Sequence, residues 1–70
     1  MNLVNILQNI NDIVLQLESD FNEFDLVQND IELRNRNFRL YTSRLNGIIA
    51  SINAKCQLLT AYLRIIPAIL

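Results

Sequence analysis

Seventy residues with a 51% apolar composition and a net charge of −1 make one domain at most, and a chain this short buries only about 60% of its unfolded surface. Short chains make up the deficit with disulfides, a metal or a partner. A single cysteine, Cys56, excludes an internal disulfide, and the absence of histidine excludes a His/Cys zinc site, which leaves a partner; near-neutral charge supplies no field for nucleic acid.

Residues 1–45 contain neither Gly nor Pro, the two main interrupters of regular structure. Over any useful length there is no strand-like alternation. Apolar residues instead recur every seven positions without losing phase: Leu3, Ile10, Leu17, Phe24, Ile31, Phe38, Leu45, Ile52, Leu59 and Ile66. A heptad sustained that long predicts helices with coiled-coil-like packing. A second row follows three or four residues later, through Ile6 or Leu7, Ile13 or Val14, Phe21, Val27, Tyr41, Ile48 or Ile49, Cys56, Tyr62 or Leu63, and Ile69 or Leu70, and it fails once, at Arg34-Asn35. Leu26, Leu33 and Leu40 add a third row in the middle. Three rows make a stripe wider than a two-stranded seam needs, and so predict contact with more than one neighbour.

Taken in chain order, the helical stretch meets four candidate breaks. Ser19-Asp20 with Glu23 has capping-box spacing. The polar run Asn35-Arg36-Asn37 coincides with the failure of the second row. Asn46-Gly47 is the strongest, because Gly accepts the left-handed conformation that ends helices. Pro67 is expected to stop the last helix near Ile66. A hairpin turning near 34–37, a long and a short helix divided at 46–47, three helices, or one long helix all satisfy this pattern.

Charge bears on orientation. All seven acids lie between Asp12 and Glu32, and all six bases between Arg34 and Arg64. A parallel in-register pair sets acid on acid. An antiparallel pair sets the acidic stretch beside the basic one, and Arg39 and Arg44 are then expected to reach acidic neighbours. Each exposed pair contributes about 0.2–1 kcal/mol, so six bases together favour the antiparallel orientation by up to a few kcal/mol. Residues near 20 are therefore expected close to residues near 50.

The residues offer little for catalysis. Asp20, Glu23 and Asp25 lie close together, but acid–base work needs a pocket that perturbs their pKa values, and a solvated acidic face accounts for them. A nucleophile at Ser51 or Cys56 lacks a histidine base. The stretch from Asp20 to Asp25 begins like a calcium loop, then places Asp25 where Gly is required and Ile31 where the bidentate Glu belongs. Neither a metal nor any other cofactor is expected. Arg34, Arg36, Arg39 and Arg44 spread over several helix faces, so pairing with the acidic stretch explains them better than nucleic acid does.

These observations predict one all-α domain over residues 1–70, a hairpin or antiparallel bundle of heptad-patterned helices in an oligomer. The expected function is non-enzymatic: an assembly subunit of a virion or other large particle, packing on itself or on other protein subunits. Its expected interface comprises Leu17, Phe24, Ile31, Phe38, Leu45, Ile52 and Leu59, with Ile65, Ile66, Ile69 and Leu70 as a docking end. One rival is a membrane-associated protein using the same apolar C-terminal stretch. That stretch is divided by Lys55 and Arg64, too often for a span of about 20 uncharged residues. Another is an adaptor or chaperone for a single partner helix. With no basic n-region before an apolar stretch, a signal peptide is not expected, and an intracellular or particle-bound location is.

Overall fold

In a computed structural model the chain is an antiparallel helical hairpin. The structure describes residues 2–69. Helix α1 spans Leu3–Gln28, a short α2 spans Ile31–Arg36, and α3 spans Phe38–Ile69. Among the described residues there is no strand. The long helices lie side by side in a body of 53 × 15 × 12 Å, about the length of 32 residues rising 1.5 Å each.

Each helix begins at a side chain that accepts from the backbone. Asn2 accepts from the N–H of Val4 at 2.9 Å, Asp30 from Leu33 at 3.0 Å and Asn37 from Leu40 at 3.0 Å. Short polar side chains satisfy the unpaired first-turn donors of a helix in this way. Asn29 and Asp30 close α1, the N–H of Asn29 donating to the carbonyl of Asp25 and that of Asp30 to the carbonyl of Val27, both at 3.1 Å. Asn37 serves twice, ending α2 with its backbone N–H on Leu33 O and starting α3 with its side chain.

The reversal therefore starts at Asn29 and ends at Asn37, wider than the expected 34–37. Six of its residues form α2, which packs back on α3 and inserts Leu33 as the plug of that end. Tyr41 closes the same end, its hydroxyl donating to Gln28 O at 3.0 Å. The other three candidate breaks are corrected. Helix α1 runs unbroken through Ser19-Asp20. Helix α3 runs unbroken through Asn46-Gly47, and Gly47 does not take a positive φ. It also continues past Pro67 to Ile69. Proline deletes one backbone donor and crowds the carbonyl four residues earlier, a disturbance confined here to the final turn.

Candidate functional site

Two rows of side chains meet between α1 and α3. The seven-spaced row gives Leu3, Ile10, Leu17 and Phe24 on α1, and Leu45, Ile52, Leu59 and Ile66 on α3; Leu17 is buried and the rest are half-buried. The row three residues later lies deeper, with Ile6, Ile13, Tyr41 and Ile48 all buried. Sequence reading gave priority to the shallower row, because only that one is apolar at every step.

Charge interrupts the deeper row. Continuing it by seven from Ile13 reaches Asp20, and from Ile48 reaches Lys55. These two meet across the helix pair, Lys55 Nζ donating to Asp20 Oδ2 at 2.5 Å, with side-chain exposures of only 23% and 15%. Ser51 joins them: its hydroxyl donates to the same Oδ2 at 2.9 Å and accepts from Lys55 at 2.9 Å. The hydrogen bond from Lys55 holds the Asp20 carboxyl below its ordinary value of 3.8, against the opposing effect of burial and with help from Ser51. The apolar residues expected in these places, Phe21 and Cys56, point outward and are exposed. A one-residue step along a helix turns the side chain by about 100°, so choosing the apolar neighbour rather than the charged one missed the cluster. Its signal was the continued seven-residue spacing of opposite charges.

Chemically this is a closed hydrogen-bond network. Ser51 donates its proton to the Asp20 carboxylate and accepts from the Lys55 ammonium, so each of the three groups finds a partner within the cluster. The network's evident effect is on register. Sliding one helix by seven residues would set Asp20 against Ile48 or Tyr62, and Lys55 against Ile13 or Val27. An unpaired charge in an apolar seam is costly, and polar seam residues select register for that reason. Two further contacts agree with the observed register: Asn9 Nδ2 donates to Tyr62 Oη at 3.3 Å, and Tyr41 to Gln28 as above.

The antiparallel orientation expected from charge is present, and Asp20 lies beside Ser51 as expected of residues near 20 and 50. The expected agents are corrected. Among the described residues Asp20–Lys55 is the one ion pair, and Arg39 and Arg44 form none. Arg44 lines an open groove with Glu23, Val27, Ile48 and Ser51 but stays solvated, where ion pairing gains little.

Of the expected interface residues, Leu17 belongs to the intrachain core and Phe24, Leu45, Ile52 and Leu59 are half-buried within it. Ile31 and Phe38 contribute nothing to that core: they are 57% and 63% exposed. The non-helical residues Asn29, Asp30 and Asn37 break the phase that would have carried the row through them, and Leu33 is buried in their place. Phe38 stacks on Tyr41 instead, ring centroids 6.1 Å apart. At the C-terminal end Ile65 and Ile66 are half-buried, Ile69 is exposed, and Leu70 lies outside the described residues.

Among the described residues, no group of three His, Cys, Asp or Glu side chains is placed to hold a metal ion. No helix there is long and apolar enough to cross a membrane. No family profile, curated protein or solved structure matches the chain.

Proposed function

We propose that this chain is a non-enzymatic assembly subunit, self-associating through coiled-coil-like helix packing and building a larger particle from such contacts. The observation that carries this reading is apolar surface left uncovered. A folded monomer of 8.1 kDa exposes about 4,500 Å² by the usual scaling; this hairpin exposes 5255 Å². Its radius of gyration is 16.1 Å, against about 11 Å for a compact chain of this length. A rod two helices thick buries six side chains well, while thirteen large apolar ones among the described residues remain more than a third exposed. Contiguous apolar surface left exposed on a small chain marks an interaction site.

Sedimentation of the purified chain with and without detergent tests the reading. A defined oligomer in plain buffer, unchanged by detergent, is the expected result. A chain held in solution only by detergent, or captured by lipid vesicles, would replace it with the membrane-associated reading.

A further inference from the structure

Five of the thirteen large exposed apolar residues share one flank of the rod. The groove carrying Glu23, Arg44 and Ser51 marks one flank of the helix pair, and those three stand one step before the seven-spaced row on their helices. The opposite flank carries the residues one step after the deeper row: Leu7, Val14 and Phe21 on α1, and Ile49, Cys56 and Leu63 on α3. All six are exposed. The register set by Asn9–Tyr62 and Asp20–Ser51 brings Leu7 level with Leu63, Val14 with Cys56 and Phe21 with Ile49, each to within a residue. This flank is therefore an apolar strip running along most of the hairpin, two residues wide at each of three levels. The groove flank instead presents Asn9, Gln16 and Glu23 on α1 and Arg44 and Ser51 on α3, and turns apolar only at Leu58 and Ile65.

We propose that this strip is covered by a second copy of the chain, its turn at the same end, so that two hairpins form a four-helix bundle. The inference rests on the assembly reading above and adds the face, the occupant and the orientation. Charge argues for the occupant and orientation. Helix α1 carries Asp12, Glu18, Asp20, Glu23 and Asp25 and no base; α3 carries Arg39, Arg44, Lys55 and Arg64 and no acid. Two copies can stack these strips about a two-fold axis in two ways. An axis across the rod lays α1 on α1 and α3 on α3, so like charge meets like. An axis along the rod lays α1 of each copy on α3 of the other, and every helix pair across the interface then joins an acidic helix to a basic one.

Sedimentation equilibrium of the full chain and three variants tests the face. Leu7→Lys and Phe21→Lys alter exposed strip residues; Leu26→Lys alters the most exposed apolar residue, 75% accessible and away from the strip. The wild type and Leu26→Lys should sediment at twice 8.1 kDa. Leu7→Lys and Phe21→Lys should sediment as single chains, or dissociate at least tenfold more readily, with helical circular dichroism retained. A wild-type oligomer that both strip variants leave intact would overturn the proposed face while the assembly reading stands. A wild type that stays a single chain at 100-fold higher concentration would overturn both. Orientation is read from a spin label on Asn35→Cys in a Cys56→Ala background that keeps the strip apolar and is first shown to sediment at the wild-type mass. Turns at one end place the two labels roughly 20–30 Å apart, two to three helix diameters. A separation approaching the 53 Å length of the hairpin would overturn the parallel arrangement.

Discussion

Replacing Ile13 by alanine measures how much of the stability comes from the deeper row. Ile13 is 5% exposed and sits one heptad before the Asp20–Lys55 pair. The change removes three carbons. At about 0.8 kcal/mol for each buried methylene the transfer loss is about 2.4 kcal/mol, and large-to-small changes in cores cost about 2–5 kcal/mol once the cavity is included. A rod only 12 Å through its thinnest dimension can relax around the gap, so the lower half of that range applies, about 2–3 kcal/mol. A 70-residue chain has about 4–10 kcal/mol in total. Ile13→Ala should therefore lower the melting temperature by about 10–20 °C. Phe38→Ala is the matched comparison, since the seven-spaced row in the sequence predicts Phe38 as an equal contributor. With its ring 63% exposed and stacked only on Tyr41, it should cost about 1 kcal/mol, near the worth of one aromatic pair. Urea unfolding followed by circular dichroism measures both, with the slope checked for constancy. A Phe38→Ala cost equal to or above that of Ile13→Ala would show that the helices are phased the other way.

Gly47→Ala should stabilise the chain by about 0.5–1 kcal/mol, because Gly47 is helical and a methyl group there would point into open space; a loss of stability in thermal melts would mean that α3 breaks there after all. The Asp20 carboxyl titrates below its ordinary value of 3.8, so its contribution is complete above that value and is lost as pH falls through the lower folded one. Acid titration of wild type and Asp20→Asn should show a steeper loss in the wild type below about pH 4, and parallel curves would remove the cluster from the account of stability.

Much of this fold is legible in the residues. The absence of Gly and Pro over 1–45 and the heptad spacing make the chain helical, and the split of acids from bases points to the antiparallel orientation that the turn at 29–37 imposes, although among the described residues only Asp20 and Lys55 pair across it. The place of the turn is less visible, because Asn29-Asp30 resembles other polar pairs, and the same dipeptide, Asn11-Asp12, lies inside α1. It is fixed by Leu33 and Tyr41 closing the end, a tertiary event without a local signature. Asn46-Gly47 and Pro67 look like stops only while each is weighed alone; a neighbouring helix with which to bury Ile48 and Tyr62 outweighs a propensity cost of about 1 kcal/mol for Gly. Asp20 and Lys55 were hidden by the habit of filling seams with apolar residues. Each is a poor seam residue alone, and only the hairpin register shows that they answer one another.

Apolar surface left open by one hairpin is, on this reading, covered by another chain. Concentration dependence of thermal unfolding tests it most directly, since association that favours the folded state raises the melting temperature by mass action. Across a hundredfold range of chain concentration in detergent-free buffer, the melting temperature should climb steadily. A melting temperature that stays constant over that range, for a chain sedimenting at 8.1 kDa, would contradict the account and leave a hairpin that folds and persists alone.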